Sequence, residues 1–336
     1  MGLSDFNALL SYAKYVSSHV EEVIYDLLNK EPQKLYDASK HLIKAGGKRL
    51  RPLALVLSGR MYGLPENLGF IAGAAVEILH NFTLVHDDIM DKDTFRRGVP
   101  TVHVLYGVDM AILAGDTLFA KAYEALGLLE RYVPAERLVK AFKELTWAAV
   151  TVAEGQALDM DFEGRMDVSL EEYLTMIYKK TAALFKASLN IGALLAGAPE
   201  KELKLLSEFA EGVGIAFQIR DDVLGLVGDE KTLGKPIYSD LREGKKTVLV
   251  IYALSKLSNE EKERISKVLG NRSASVEELR KVAELIISTG AVDYAEKLAD
   301  EYLSRGLNAL NMTNPQDFEA KEMLKNLALY VTSRTY

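Results

Sequence analysis

No cysteine occurs among the 336 residues, which excludes disulfides and thiolate metal sites and fits a reducing compartment. Positive charge is also short. The net charge is −7, whereas a nucleic-acid binder normally carries a basic stripe, so no nucleic-acid partner is expected. No apolar stretch reaches about 18 residues without a charge, so no spanning helix is predicted. The opening residues MGLSDFNALLSYAK lack the basic stretch and apolar core of a signal peptide. Phe6 stands where a myristoylation site wants Ser or Thr. The expectation is a soluble, cytoplasmic protein without stable membrane insertion. Walker sequences, GxGxxG loops and a Ser-His-Asp arrangement are missing, as are low-complexity segments, linkers and any repeat beyond one paired acidic motif.

What is present is helix. Hydrophobic residues make up 49% of the chain, ample for a core, and no segment alternates with period two for long enough to propose a sheet. Behind Ser4 as a cap, Leu9, Leu10, Ala13, Val16, Val20, Val23, Ile24 and Leu27 recur at threes and fours. Pro32 precedes a second helix that ends at Gly46-Gly47. Pro52 suits the first turn of a third, stopped near Gly63 and Pro65. One long helix is predicted from 67 to about 92, and others near 108–130, 135–163, 170–197 and 200–228. Asp229 to Lys246, charged and broken by Gly234, Pro236 and Gly244, reads as an exposed loop. Four shorter helices follow, with Pro315 before the last. The reading is a single all-α domain over residues 1–336, a helical bundle whose central cavity is lined by facing helices.

Two aspartate clusters end two of these helices. Asp87, Asp88 and Asp91 lie in HDDIMDKD, and Asp221 and Asp222 in FQIRDDVLG. Positions i, i+1 and i+4 share one helix face, and like charges there are unfavourable even in water. Acidic groups at a helix C-terminus also oppose the macrodipole. The apolar run VEILHNFTLVHDD points this end inward, where carboxylates without a cation would be neutralised. Oxygen ligands without Cys or closely paired His suit a hard ion, and Mg2+ takes one or two carboxylates and fills its other positions with water and phosphate. The aspartates therefore imply a polyphosphate. Gly225 takes the i+4 place that Asp91 holds in the first cluster, so the second offers fewer ligands.

Basic residues stand out against the acidic background. GGKRLRP places Lys48, Arg49 and Arg51 at a helix start, where exposed N–H groups favour phosphate. Arg96 and Arg97 follow the first cluster; such neighbours usually only neutralise the acids, yet Arg also suits bidentate phosphate contacts. Lys180-Thr181 interrupts an apolar helix, and Lys235 and Lys245 sit in the charged stretch. His80 and His86 flank the first cluster, with packing or hydrogen-bonding roles preferred, since imidazole matches Mg2+ poorly. Asp116 and the stretch from Gln156 to Asp159 are polar breaks, read as supports only.

The ordered set GGKRLRP, HDDIMD, RRG, KKT, FQIRDD, GKP and EGKKT resembles the trans-isoprenyl diphosphate synthases across nearly the whole chain. The resemblance implies an all-helical homodimer in which two or three Mg2+ ions (Mn2+ as a substitute) hold an allylic diphosphate between the Asp motifs. Isopentenyl diphosphate would bind a nearby basic pocket. By that resemblance Asp87, Asp91 and Asp221 are the main metal ligands, with Asp88 beside them and Asp222 in support. Arg96, Lys180, Lys235 and Lys245 would hold the allylic diphosphate, and Gly47, Lys48, Arg51, His80 and Arg97 isopentenyl diphosphate. Thr181, Phe217 and Gln218 would line the reacting centre. Gly225 departs from the family's fuller DDxxD pattern.

The implied chemistry needs no protein nucleophile. Cations around the departing diphosphate stabilise its charge, and the allylic cation left behind is attacked by the double bond of an oriented partner. Phe82 and Thr83, five and four residues before Asp87, resemble the pocket floor of archaeal-type geranylgeranyl diphosphate synthases, although an aromatic there can simply be core. Farnesyl or longer-chain products are the alternatives. A class I terpene cyclase typically has Asn, Ser and Glu in its second motif, and a non-catalytic partner subunit tends to lose an Asp cluster; neither fits as well.

Overall fold

Residues 3–228 and 237–333 are described by the computed structural model, with side chains from Phe6 onward. Four helices open the chain: α1 (Leu3–Leu28), α2 (Gln33–Lys44), α3 (Leu50–Met61) and α4 (Glu66–Asp91). Ser4 lies inside α1 rather than capping it. Pro32 is the N-cap of α2 and Pro52 sits in the first turn of α3, where a missing N–H leaves no bond unmade. After α4 comes a hairpin of two residues a side, β1 (Phe95–Arg96) antiparallel to β2 (Val99–Pro100). It is too short for alternation to announce it, and so is α5 (Val102–Tyr106) for helical periodicity.

α6 (Val108–Gly127), α7 (Ala135–Glu163) and α10 (Glu200–Val227) match their predicted spans. The helix predicted over 170–197 is instead α8 (Leu170–Ile177) and α9 (Ala183–Ala196), joined by a π-turn at Tyr178–Ala182. Such a turn inserts one residue, and the apolar residues on both sides are too dense for the phase change to show. The charged stretch also differs from the expected loop. Ser239–Glu243 forms α11, while residues 229–236, Lys235 among them, lie outside the described residues. Five helices rather than four then follow: α12 (Val248–Lys256), α13 (Asn259–Val268), α14 (Val276–Ser288), α15 (Ala291–Met312) and α16 (Phe318–Thr332). α8, α13 and α14 each open on a reciprocal Ser–Glu capping box, a cap interaction contributing about 1 kcal/mol apiece.

The chain divides into two compact units. The first comprises Met1–Val150, Leu184–Ala210 and Asn308–Tyr330; the second comprises Thr151–Ala183, Glu211–Leu307 and Val331–Tyr336. In the first, α4 packs along α3 and α6, with Ala72, Ala74, Ala75, Ile78 and Leu79 fully buried. By length and composition α4 is apolar enough to cross a membrane, contrary to the reading of charge-free runs alone; 72% of its most apolar window is buried in the protein. Burying Ile78 or Leu79 contributes about 1.5–3 kcal/mol each, and the alanines less. Among the polar residues buried on that helix, Glu77 accepts from Arg49 at 2.9 Å. In the second unit α8 packs on the π-turn and on α12, while α14 packs against α12 and α13.

Candidate active site

The first cluster closes α4. Neighbouring residues on a helix point about 100° apart, so the paired aspartates meet different surroundings: Asp88 is fully buried, Asp87 and Asp91 half-buried. The hairpin carries Arg96 back to them. Its Nε donates to Asp88 Oδ1, and its Nη2 lies 3.4 Å from Asp87 Oδ2 and 3.6 Å from Asp93 Oδ2. Burial still pushes the Asp88 carboxyl up to about 7, against the pull of Arg96. Its Oδ2 is buried with no hydrogen-bond donor. A buried carboxylate oxygen in that state fits a cation.

The GGKRLRP basic residues separate by role. Arg49, in left-handed conformation (φ 45°) at the N-cap of α3, is spent on the fold: it pairs with Glu77 and Glu21, both at 2.9 Å, and donates to the Ile43 and Gly46 carbonyls. Arg51 Nη1 lies 3.2 Å from His80 Nε2. Arginine cannot accept, so His80 Nε2 carries the lone pair. Desolvation, followed by the charges of Arg51, Arg97, Arg96 and Arg49, holds His80 well below the ordinary imidazole value; it is neutral. Arg51 Nε is buried with no acceptor. Arg97 donates from Nη1 to the Leu42 carbonyl at 2.8 Å and the Gly46 carbonyl at 2.5 Å, beside Gly47. Gly47, Arg51, His80 and Arg97 are thus brought together, while Lys48 Nζ lies 5.1 Å over the Tyr330 ring of α16. Such a cluster, with one donor unmet, fits an anion.

One turn before Asp87, the Phe82 ring sits edge-on to His86 at 5.0 Å and to Phe119 of α6 at 5.2 Å. Thr83 Oγ1 donates to the His80 carbonyl at 2.7 Å. Phe82 and Thr83 are both half-buried.

The second unit repeats the division of labour. Asp222 is buried and Asp221 half-buried. Asp222 accepts from Tyr173 Oη at 2.7 Å and Gln218 Nε2 at 2.8 Å, yet burial, then Asp240 and Asp221, push it up to about 8. Thr181 Oγ1 donates to Gln218 Oε1 at 2.7 Å, one residue after half-buried Phe217. Asp159 Oδ2 accepts from both Lys180 Nζ at 2.7 Å and Lys245 Nζ at 2.9 Å, and Glu163 takes a second bond from Lys245. Desolvation would raise Asp159, but the two lysines hold it below the ordinary aspartate value. Gly225 is also explained: a Cβ there would lie 2.5 Å from Asp240 Oδ2, so a carboxylate from α11 stands beside the place the motif lacks.

Tyr173, Glu163 and Asp240 carry no local sequence signal, because their partners lie far away in the chain. Asp159 announces itself only as a polar break in an apolar helix. Asp116 is exposed and reaches no nearer than 4.0 Å to His86. Among the described residues no three acidic or imidazole groups converge as a self-sufficient metal site. Each unit by itself thus carries a buried carboxylate and cationic side chains: Asp88 with Arg96 and the Arg51–Arg97 cluster in the first, Asp222 with Lys180 and Lys245 in the second.

Comparison with known proteins agrees with this chemistry. Residues 32–286 match the polyprenyl synthetase family model. The chain is 49% identical to a geranylgeranyl diphosphate synthase of Sulfolobus acidocaldarius, covering 96% of this chain and 98% of that one. It is 46% identical to a geranylfarnesyl diphosphate synthase of Aeropyrum pernix, covering 94% and 99%. The crystal structure of geranylgeranyl pyrophosphate synthetase from Pyrococcus horikoshii Ot3 superposes with a TM-score of 0.90 at 38% identity, over 98% of this chain and 99% of that chain. The chain belongs to the polyprenyl synthetase family. It is an all-α prenyltransferase.

Proposed function

We propose that this chain is a Mg2+-dependent synthase that condenses isopentenyl diphosphate with allylic diphosphates and stops at geranylgeranyl diphosphate. One observation carries the reading: a buried carboxylate oxygen without a donor at Asp88 and a buried guanidinium N–H without an acceptor at Arg51. The first suits a diphosphate held through cations, the second a diphosphate held directly. Asp87, Asp91 and Asp221 would hold the ions, with Asp88 and Asp222 turned inward beside them. Bound divalent ions would neutralise charge gathering on the departing diphosphate. Arg96, Lys180 and Lys245, with Lys235, bind and orient the allylic diphosphate; Arg51, Arg97, Lys48 and neutral His80 orient isopentenyl diphosphate. Thr181 and Gln218 present oxygens at the reacting centre. No side-chain base is required, because the departing diphosphate can take the final proton.

The product length rests on Phe82 and Thr83 as a floor, and on relatives named for geranylgeranyl diphosphate. A homodimer is favoured by the exposed apolar residues of α5 to α7, among them Leu105, Val108, Ile112, Leu113 and Val150, a concentration a monomer rarely carries in water. The test is incubation of the purified enzyme with labelled isopentenyl diphosphate and farnesyl diphosphate, with Mg2+, with Mn2+ and with EDTA, followed by chromatography. A twenty-carbon product dependent on the metal is expected. No condensation in Mg2+ refutes the activity, and a longer main product refutes the assigned length.

A further inference from the structure

Lys180 and Thr181 are consecutive residues that bond to different helices, Lys180 to Asp159 on α7 and Thr181 to Gln218 on α10. Both lie in the π-turn Tyr178–Ala182. A π-turn is less favourable than the α-turn it replaces and persists where surroundings impose it. Here the surroundings are two glycines. A Cβ on Gly155 of α7 would stand 2.3 Å from Lys180 N and 2.7 Å from Lys179 C. A Cβ on Gly214 of α10 would stand 2.6 Å from Ala182 Cβ and 2.7 Å from Ala182 Cα. Each glycine lies four residues before the side chain that receives the turn: Gly155 before Asp159, Gly214 before Gln218. One helix turn thus supplies backbone clearance and the next a polar partner. Next to Gly155, Glu154 also holds Lys179 Nζ at 2.6 Å.

We propose that Gly155 and Gly214 are positioning residues, a two-sided seat that holds the π-turn and through it aims Lys180 and Thr181. The inference rests on the prenyltransferase reading only for what those two side chains do. An added methyl meets backbone at Gly155 and the Cβ and Cα of Ala182 at Gly214, none of them a flexible side-chain end, so the turn must retreat by about 1 Å, a misplacement that can cost about 10²-fold in rate.

The test uses the full-length enzyme. Gly155→Ala and Gly214→Ala should each lower kcat by about 10²-fold while leaving KM for isopentenyl diphosphate within about twofold, because Arg51 and His80 are untouched. In a Lys180→Ala/Thr181→Ala background, Gly155→Ala should add less than about a further twofold loss, since residues acting as one unit are not additive. Losses that multiply in full would overturn the proposal, as would near-normal turnover of the single variants. Deleting Lys179 removes the extra residue and lets α8 run into α9 as one α-helix with both flanks in phase. That variant should fold and melt near the parent yet fall to the turnover of the double variant; retained turnover would again overturn the seat. It also decides the matter should Gly155→Ala fail to fold. If the parent enzyme itself makes no prenyl product, the functional reading fails, and crystal structures of Gly214→Ala and Gly155→Ala decide the seat separately. Loss of the Lys180–Asp159 and Thr181–Gln218 contacts supports it, and their survival refutes it.

Discussion

Asp159→Asn should weaken the free protein and enlarge its response to diphosphate. Lys180 Nζ and Lys245 Nζ lie 2.7 and 2.9 Å from one oxygen of Asp159. The two ammonium groups are therefore within about 6 Å of each other and repel by about 3 kcal/mol at an effective dielectric near 20. Asparagine keeps the shape and removes the charge that offsets this repulsion. Glu163 still compensates Lys245 at 2.9 Å, and Lys180 is 26% exposed, so the net cost should be about 2 kcal/mol, or a melting point lower by about 3 °C. A diphosphate would then replace the missing negative charge. By linkage, a ligand that binds the variant more tightly raises its melting point further. The assay is thermal melting of both proteins across a titration of inorganic diphosphate with Mg2+. The variant should start lower and gain more. Equal starting points and equal gains would show that Asp159 does not govern the charge of these lysines.

Three other outcomes are expected. Asp87→Ala and Asp221→Ala should each reduce turnover by about 10²–10³-fold, and EDTA should abolish it; near-normal turnover in EDTA would remove the metal from the mechanism. Phe82→Ala should lengthen the product by at least one isoprene unit, because the next residues inward, Ile78 and Leu79, lie about one 5.4 Å turn deeper. Phe82 is half-buried, so the folding cost should fall below the roughly 3–5 kcal/mol of a fully buried Phe, and an unchanged twenty-carbon product would make it ordinary core. His80 has a folded pKa below its unfolded value. The unfolded chain therefore binds the extra proton first, and stability falls as pH drops below about 6.5. His80→Gln should flatten that slope in urea melts between about pH 7.5 and 5.5; an unaltered slope would place the titration elsewhere.

Helix boundaries were readable because apolar residues at threes and fours are bracketed by Pro32 and Pro52 at helix starts and by Gly63, at positive φ, and Pro65 beyond a helix end. The aspartate pairs were readable because anions on an apolar helix end demand a counter-charge. What stayed hidden depends on distant parts of the chain. Nothing near Tyr173 tells of Asp222, and the π-turn is a register event that dense apolar packing conceals. The basic residues of GGKRLRP look alike in a string, yet Arg49 is consumed by Glu77 and Glu21 and two carbonyls, while Arg51 keeps a buried N–H unmet.

Gly225 bears on how such an enzyme should be re-engineered. A designer who compared motifs would see a gap in the second one and restore symmetry with Gly225→Asp. Space at that position is already claimed: Asp240 Oδ2 stands 2.5 Å from where the new Cβ would be built. The substitution would set two carboxylates against each other beside Asp222, itself already pushed up to about 8 by burial and by its acidic neighbours. Consensus repair would here add charge where charge is already dense, since an acid from another helix, fifteen positions downstream, already lies beside the gap, where no motif search would credit it.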